Sequence, residues 1–398
     1  MQICKLDIEG YRSLRKVTWV PGPLNVIIGP NGTGKSNLLR LLELLATSAK
    51  GRLGKYIQDT GGMDPLVWDG IAEAIRIAVK TSPVEEGRDP ERDSLTYELE
   101  LQRIGKGSAY RIGRELLANY CQMTQKKRPG PFKFLERQGL RAVIFDENQK
   151  ELVAPEETML EEETLLSLAS GPFTQNRHIP AYQKQLASWA IYHDVHVDQG
   201  APMRKPAVTR AEKVVDADGQ NLIHVLHTLY NTDRQFEEDI NTAMRAAFSN
   251  DFDKLVFPPD ADQRIQLRLR WKSLKREVSA IDISDGTLRF LFLLTVLASP
   301  TPAPLIAIDE PETGLHPSML PIIAEYAVEA STRAQVILTT HSAQLLDAFT
   351  ETRPTTTVAK WENGETRLTQ LSGEALDYWL DEYSLGALYA SGQLEGME

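Results

Sequence analysis

The fold is decided by one stretch of sequence, Gly29-Pro30-Asn31-Gly32-Thr33-Gly34-Lys35-Ser36, which matches the pattern G-x-x-x-x-G-K-[ST] at every fixed position. The apolar segment Leu24 to Ile28 precedes it and the leucine-rich segment Leu38 to Leu45 follows it, so a strand, a glycine turn and a helix are predicted. In such a turn, backbone N–H groups point at phosphate oxygens, and the helix N-terminus adds the positive end of its dipole. The stretch therefore predicts an α/β fold of the P-loop NTPase class.

Two side chains of this loop are expected to contact ATP and its Mg²⁺ ion. Lys35 is expected to place its ammonium between the β- and γ-phosphates, and Ser36 to offer a hydroxyl ligand to Mg²⁺. A chance glycine-rich turn is the alternative, and the predicted strand and helix on either side argue against it.

A pair of adjacent acids forms the second candidate site. The apolar segment Leu305 to Ile308 ends in Asp309 and Glu310, and parallel strands present their functional residues at their carboxyl ends. We expect Asp309 to hold Mg²⁺ directly or through water, and Glu310 to orient or deprotonate the attacking water. A solvated acidic turn is the alternative, and the presence of the phosphate loop favours the functional interpretation.

The composition is that of an ordinary globular protein, with 398 residues of which 42% are hydrophobic and 25% charged. Its two cysteines, Cys4 and Cys121, give neither a disulfide framework nor a metal-ligand spacing, which favours a cytoplasmic protein with reduced thiols. The N-terminus alternates like a strand, and the longest apolar run, Phe290 to Ala298, is too short to cross a bilayer, so no membrane partner is expected. The net charge of −11 argues against a uniformly DNA-coated surface but leaves local basic faces open.

Three parts are predicted along the chain. Residues 1–110 form the N-terminal part of an ATPase head with the phosphate loop, and period-two alternation over Leu95 to Leu101 predicts an antiparallel meander there. Residues 111–263 form a basic strand region and a compact, mostly helical insert lobe. Residues 264–398 form the C-terminal part of the head.

The spacing of apolar residues predicts the main helices and strands of the second and third parts. The signal from Pro180 to Asn250 is helical. A strand with one basic face is predicted from Ile265 to Lys272. From Leu305 to Phe349, strands and helices alternate, which implies a parallel sheet.

Two more segments lie around the acid pair. The first begins the apolar helix and consists of Ser284-Asp285-Gly286-Thr287. It can be interpreted as an anion site at the helix start or as a simple N-cap formed by Ser284 or Asp285. Taken alone, the segment favours the N-cap. His341 follows the strand Gln335 to Thr340 and can reach a γ-phosphate, although a lone histidine is more often structural. Its position just past a strand of the same predicted sheet favours the functional interpretation.

Together these motifs resemble the ABC ATPase superfamily on its SMC/RecF/OLD side, and most of all the small RecF-like bacterial ATPases. The resemblance covers roughly the first 50 residues and residues 280–350, and the ending from Asp377 to Gly392 also looks like that small group. It implies a mixed central sheet with an antiparallel β subdomain. In that family Gly29–Ser36 is Walker A, Asp309 with Glu310 is Walker B, Ser284–Thr287 is the signature, Gly314–Pro317 lies in the D-loop and His341 is the switch histidine.

The resemblance further implies an ATPase that works as a head-to-tail homodimer with two ATP molecules at its interface, each signature capping the γ-phosphate held by the other subunit. It implies Lys35, Glu310 and His341 as catalytic residues and Ser36 with Asp309 as metal ligands. The other nucleotide contacts that it implies are Gly29, Asn31, Gly32, Thr33, Gly34, Asn37, Arg12, Ser284, Asp285 and Gly286.

Two features depart from the best-known members of the superfamily. Asp285 and Thr287 stand where transporters usually have Gly and Gln, which looks like the RecF/OLD side. The Q-loop glutamine is not assigned, and Gln102, Gln122 and Gln175 remain open.

Basic residues concentrate in two stretches that favour contact with DNA over an ordinary solvated face. The stretch Gln102 to Lys150 holds eleven Lys or Arg against four Asp or Glu. Phosphate contacts by such residues give salt-sensitive binding without sequence preference. The residues singled out are Lys126, Lys127, Arg128, Lys133 and Arg137 in the first stretch, and Arg268, Arg270, Lys272, Lys275 and Arg276 in the second.

Several biological roles are compatible with these motifs. OLD-type nucleases append a metal nuclease domain after the switch histidine, and the segment after His341 is expected to be too short for one and shows no acidic triplet. The leading hypothesis is therefore an ATP-gated, DNA-associated or antiphage-defence ATPase that acts with a separate nuclease or effector. The alternatives are a RecF-like repair factor without a nuclease, a protein-binding scaffold with structural ATP, and a transporter subunit, whose signature would be L-S-G-G-Q.

Overall fold

The computed structural model describes residues 1–393 except 86, 106, 108, 121–129, 156–159, 172–175, 261–263, 350–351 and 372–383. Several residues considered above fall outside these ranges, namely Cys121, Gln122, Lys126, Lys127, Arg128, Gln175 and the segment 377–383. The chain divides into two units: unit one comprises residues 1–22, 28–189 and 357–370, and unit two comprises residues 23–27, 190–356 and 371–398.

The strands, in chain order, are β1 Ile3–Tyr11, β2 Leu14–Trp19, β3 Leu24–Ile28, β4 Ala74–Thr81, β5 Leu95–Arg103, β6 Tyr110–Asn119, β7 Phe132–Gln138, β8 Arg141–Asp146, β9 Glu151–Val153, β10 Ala190–Tyr192, β11 Ala207–Val208, β12 Phe252–Val256, β13 Pro259–Asp260, β14 Arg264–Ile265, β15 Arg268–Trp271, β16 Val278–Ser279, β17 Leu305–Asp309, β18 Gln335–Thr340, β19 Thr355–Glu362 and β20 Glu365–Gln370. The α-helices are α1 Lys35–Ala49, α2 Leu53–Asp59, α3 Pro90–Asp93, α4 Leu165–Leu168, α5 His178–Ala187, α6 Leu222–Thr232, α7 Arg234–Phe248, α8 Asp285–Leu297, α9 Leu320–Ser331, α10 Ala343–Asp347 and α11 Leu385–Ala390.

Unit one is built on an antiparallel sheet with the strand order β2-β1-β4-β5-β6-β7-β8-β9. The alternation that predicted the meander places Leu95, Tyr97, Leu99 and Leu101 on the buried face of β5. Helix α1 is buried through its leucines, as its nearly continuous apolar pattern predicts. The first predicted boundary, between residues 110 and 111, falls at the start of β6, and the three-part division stays a prediction.

Unit two contains the strands β10-β17-β18-β3 as neighbours, with β10, β17 and β18 paired in parallel. Asp309 at the end of β17 lies opposite Thr339 in β18, so the carboxyl ends of both strands meet at one edge. Helix α8 precedes β17 and α9 connects β17 to β18, and the predicted strand–helix alternation from Leu305 to Phe349 is confirmed.

Two expectations about the middle of the chain were too simple. The helical signal from Pro180 to Asn250 is realised only in α5, α6 and α7, because turns and the short strands β10 and β11 occupy much of the segment between α5 and α6. The basic-faced strand predicted from Ile265 to Lys272 is interrupted, so that β14 and β15 belong to different three-stranded sheets.

No helix among the described residues is both long and apolar enough to span a membrane.

A buried carboxylate joins the sheet of unit one to α4. Glu115 in β6 accepts hydrogen bonds from the backbone N–H groups of Leu165 (2.6 Å) and Leu166 (2.8 Å) and from the hydroxyl of Tyr97 (2.9 Å). Burial raises the pKa of Glu115, while these donors act to lower it. The carboxylate therefore satisfies polar groups that would otherwise be buried without a partner.

Glu115→Ala is predicted to lower the free energy of unfolding by about 3 kcal/mol, because two buried N–H groups and one hydroxyl lose their acceptor. Tyr97→Phe removes only one donor and should cost about 1 kcal/mol. Chemical denaturation of both variants checks this, and equal losses would contradict the assigned role of the carboxylate.

Candidate functional site

The glycine turn at Gly29–Ser36 lies in unit one with its backbone closely surrounded. Gly34 has a φ of 93°, and a Cβ there would lie 2.5 Å from the Ser13 hydroxyl and collide with Thr366. At Gly29, a Cβ would collide with the carbonyl oxygen of Ala359. Only glycine fits these two positions, and the loop therefore presents bare backbone.

The N-terminus of α1 is open to an anion. No side chain caps it among the described residues, and its first turn contains no acid. Lys35 is only 4% exposed, and its ammonium donates to the carbonyl oxygens of Gly29 (2.7 Å) and Pro30 (3.1 Å). A buried cation beside an uncapped helix N-terminus suits a phosphate group.

The remaining residues of the loop hold its shape or line its surface. Thr33 donates to the Pro30 carbonyl (2.9 Å), and Asn37 donates through its amide to Ser13 Oγ (2.7 Å). Asn31 and Gly32 are exposed, and a Cβ built on Gly32 would meet open space. Ser36 is half-buried in the first turn of α1.

The turn between β1 and β2 lies beside the phosphate loop. Arg12 has a φ of 46°, and its backbone N–H donates to the Leu66 carbonyl (2.8 Å). Its Nε is buried without a hydrogen-bond partner among the described residues. Thr366 Oγ1 lies 2.6 Å from Ser13 Oγ and 2.8 Å from the Thr33 carbonyl, a contact that no sequence pattern indicated.

In unit two, the carboxyl ends of β17 and β18 bring the predicted acids together. The side chain of Asp309 accepts a hydrogen bond from the Thr339 hydroxyl. Glu310 has a φ of 46°, and its backbone N–H donates to the carbonyl and the hydroxyl of Thr339, both at 3.1 Å. Backbone strain of this kind is concentrated at functional sites, which makes Glu310 a candidate for a functional residue.

His341 lies against both acids that follow the strand. Its Nδ1 is 3.1 Å from Glu310 Oε1 and 3.9 Å from Glu312 Oε1. Its backbone N–H donates to Glu312 Oε1 (3.3 Å). The structure thus brings Asp309, Glu310 and His341 together at one edge of unit two.

Sequence inspection did not single out Glu312 or Arg289, although Glu312 is the second residue after the acid pair. Glu312 is 9% exposed, accepts from the Thr340 hydroxyl, and keeps its second oxygen buried without a partner among the described residues. Burial raises its pKa, against the opposing effect of Thr340 and His341. Arg289 donates to the Glu310 carbonyl (3.3 Å); burial lowers the pKa of Arg289, and the nearby acids oppose this.

The turn Ser284–Thr287, which is the predicted signature, begins α8 with Ser284 as its N-cap. Ser284 Oγ accepts from the Thr287 backbone N–H (3.2 Å), so the cap interpretation is confirmed, and Ser284 and Asp285 remain exposed. A Cβ on Gly286 would lie 2.5 Å from the carbonyl oxygen of Gly314, which ties the turn to the D-loop segment.

The basic stretches are less available for DNA than their composition indicates. Arg137 was wrongly included in a surface, because it is buried and donates to three carbonyl groups. Lys133 pairs with Glu136 (2.6 Å). In the second stretch, Arg268 and Arg270 pair with Glu277, and Lys272 donates to the Asn250 carbonyl, whereas no ion pair involves the exposed Lys275 or Arg276 within the described ranges.

Comparison with known proteins gives one family and several relatives. A family model described as "AAA domain, putative AbiEii toxin, Type IV TA system" matches residues 24–347. The chain is similar to the Old nuclease of Escherichia phage P2, with 24% identity over 374 residues, which cover 87% of this chain and 58% of that protein. It is similar to an ATP/GTP phosphatase of Helicobacter pylori, with 26% identity over 121 residues, which cover 29% of this chain and 31% of that protein. The chain therefore spans less than two thirds of the length of both curated relatives.

Solved SMC heads share the fold. One, bound to the C-winged helix domain of ScpA, matches with a TM-score of 0.55 at 13% identity and covers 95% of this chain and all of its own. Another has an extended coiled coil and is bound to the C-terminal domain of ScpA derived from Pyrococcus furiosus. It matches with a TM-score of 0.54 at 12% identity, and the match covers 96% of this chain and 99% of that one. The predicted ABC-type P-loop fold is confirmed.

Glu312→Gln is predicted to raise the free energy of unfolding at pH 8 by about 1 kcal/mol, within the range that single stabilising substitutions commonly give. Because the pKa of Glu312 is raised in the folded protein, the folded state is penalised at high pH, where the group is ionised, and the penalty vanishes below the pKa of the unfolded chain. The gain should therefore shrink as pH falls towards 4. Denaturation curves at several pH values measure it, and a gain that grows on acidification would contradict this prediction.

Proposed function

The chain belongs to the AAA-domain family whose model covers residues 24–347 and is an ABC-type ATPase of the SMC, RecF and OLD branch; on this premise, we propose that it hydrolyses ATP at composite sites completed when two copies meet head to tail. Two separate anion-binding helix ends carry the proposal: the uncapped N-terminus of α1 with its buried Lys35, and the N-terminus of α8 with its exposed Ser284. Glu310, in contact with His341, supplies the group for hydrolysis.

Binding of the triphosphate is supported by the phosphate loop. The N–H groups at the start of α1 and the ammonium of Lys35 supply positive charge, and a phosphate oxygen can replace the carbonyl oxygens of Gly29 and Pro30 as acceptor. The backbone at Gly32 is open to solvent, which leaves space for the ligand.

Mg²⁺ is the cation that the donor set fits. No group of three or more His, Cys, Asp or Glu side chains in the described part of the chain could hold a metal by itself. Mg²⁺ is usually held by one or two carboxylates together with substrate phosphates and water. Ser36 and Asp309 would provide the oxygen ligands, and the bound ion would neutralise charge on the phosphates.

For hydrolysis, Glu310 is the proposed base or orienting group for the attacking water. Its backbone is fixed by Thr339 on one side and by Arg289 on the other. His341, at 3.1 Å, restricts the carboxylate of Glu310 and, with its proton on Nδ1, donates one hydrogen bond to it. Such positioning, together with electrostatic stabilisation, is the main contribution a protein makes to phosphoryl transfer.

The second copy is proposed to close the site through its signature turn. Ser284 and Asp285 are exposed at the N-terminus of the 13-residue helix α8, so this end of the helix is available to a γ-phosphate. Because the same turn and loop exist in each copy, a two-fold arrangement forms both sites at once.

For the biological role, we propose control of a DNA-associated or defence activity carried out with a separate effector, such as a nuclease. The similarity to the Old nuclease supports an association with nuclease chemistry. The Ser-Asp-Gly-Thr form of the signature disfavours a transporter subunit. A RecF-like repair factor without a nuclease and a scaffold with structural ATP are the remaining alternatives.

Glu310→Gln is predicted to retain ATP binding, to reduce turnover at least about a hundredfold, and to accumulate dimers in the presence of ATP and Mg²⁺. Nucleotide binding, phosphate release and analytical ultracentrifugation measure the three properties. Lys35→Ala should lose nucleotide binding, and Ser284→Arg should bind ATP as a monomer. Unchanged turnover in Glu310→Gln would exclude this residue as the base, and steady turnover by a monomer would refute the composite site.

DNA contact is predicted to involve the exposed cations of the loop between β15 and β16. Lys275→Glu combined with Arg276→Glu should weaken binding to a DNA duplex and reduce the slope of log K against log salt by about 2, because each phosphate contact contributes about 1. The matched control is Arg52→Glu with Lys55→Glu, which makes the same charge change at exposed positions of unit one. Equal effects of the two double variants would indicate only a general charge effect.

A further inference from the structure

We propose that Arg204 is a positioning residue that holds the signature turn in the conformation that reaches the nucleotide of the partner copy. This role rests on the proposed composite site. Arg204 lies 80 residues before the signature, in a 3₁₀ turn Pro202–Arg204, and neither its sequence context nor any motif pointed to it.

The guanidinium of Arg204 is a buried clamp with five hydrogen bonds. Nε donates to the carbonyls of Val197 (2.8 Å) and Asp198 (3.0 Å). Nη1 donates to the carbonyls of Ala280 (2.8 Å) and Ile283 (2.6 Å). Nη2 donates to Asp285 Oδ1 (2.5 Å), so that one side chain joins the loop at Val197–Asp198 to the signature.

These contacts lie on both sides of Ser284. The Ile283 carbonyl precedes it and the Asp285 carboxylate follows it, so the clamp fixes the direction in which Ser284 and the first N–H groups of α8 point. Ser284 itself stays exposed. The clamp thus acts on the backbone of the turn without occupying the surface that a phosphate would use.

The geometry requires arginine. The Arg204 side chain is 1% exposed, and Asp285, the one anionic partner that it has in the described part of the chain, is 63% exposed, so the buried charge depends mainly on four carbonyl dipoles. Arginine offers five N–H donors in one plane, whereas a lysine ammonium offers three donors from a single point. A lysine at this position could not serve both segments, and the turn would lose its link to Val197–Asp198.

The other end of the clamp is a surface loop. Asp194, His196 and residues 198–200 are exposed, whereas Arg204 is buried. Displacement of this loop would move the carbonyls that bind Nε and therefore disturb the signature.

Arg137 provides a matched control within the same chain. It is also buried, and it donates to the carbonyls of Gly139 (2.8 Å), Glu163 (2.6 Å) and Leu160 (2.7 Å) in unit one. None of these groups belongs to the signature, Walker B or switch segments. Arg137→Lys therefore reproduces the general effect of disturbing a buried guanidinium.

The test compares Arg204→Lys with Arg137→Lys, each in the Glu310→Gln protein and each also with Glu310 intact. Arg204→Lys should change the Kd for ATP by less than about threefold, abolish the ATP-dependent dimer of the Glu310→Gln protein, and lower turnover about a hundredfold when Glu310 is present. Hydrogen exchange should rise in residues 280–289 and stay unchanged in α1. Arg137→Lys should keep both the dimer and turnover.

Asp285→Ala gives a second test, which keeps the Arg204 side chain and its four carbonyl acceptors. Loss of the Nη2 contact should weaken the ATP-dependent dimer, whereas simple repulsion between Asp285 and a γ-phosphate would predict a tighter one. A tighter or unchanged dimer would overturn the clamp, as would an Arg204→Lys protein that dimerises and turns over like its parent. Equal losses in Arg204→Lys and Arg137→Lys would reduce Arg204 to a structural residue. If the Glu310→Gln parent forms no dimer with ATP, the composite site itself fails and the role of Arg204 falls with it.

Discussion

Backbone N–H groups can hold a triphosphate only where no side chain stands in the way, and this requirement shapes everything around the turn at Gly29–Ser36. Gly34 is pressed against Ser13 and Thr366, and Gly29 against the carbonyl of Ala359. The loop is therefore shaped by the β1–β2 turn near the start of the chain and by the β19–β20 hairpin near residue 360. The motif itself contains the glycines, and segments distant in the sequence pack so closely against them that no residue with a Cβ fits.

In unit two, the residues around the carboxyl end of β17 are strained or incompletely paired. Glu310 adopts a left-handed backbone conformation, Glu312 is buried with one oxygen that has no partner among the described residues, and Arg289 is partly desolvated beside three acids. Each of these features opposes stability, and they occur within one short stretch of the sheet edge. Strain and incompletely paired polar groups of this kind are retained where they position reacting groups. The turn at Ser284–Thr287, in contrast, is held by hydrogen bonds from Arg204 to Ile283 and Asp285 and by the close approach of Gly286 to Gly314.

Sequence patterns predicted those parts of the site whose residues are neighbours along the chain. The phosphate loop with α1, the acids at the end of β17 and the histidine after β18 follow from local spacing and from the alternation of strands and helices. The roles of Thr366 and Arg204 could not be predicted, because the residues that they contact, Thr33 and Ile283, are far from them in the sequence. The basic composition around Arg137 was misleading for a related reason: a run of charges does not reveal which cation turns inward to bind carbonyl groups. The strand predicted from Ile265 to Lys272 kept its alternation but is divided between two small sheets.

In the proposed dimer, one active site takes Lys35 from one copy and Ser284 from the other. Mixing Lys35→Ala protein with Ser284→Arg protein measures this directly, because each variant alone lacks one half of every site, whereas a mixed dimer contains one complete site. Random mixing of equal amounts should restore about a quarter of the ATPase activity of the unmodified protein, since half of the dimers carry one of two sites. ATPase activity that stays at the level of the separate variants across all mixing ratios, with mixed dimers formed, would contradict the account.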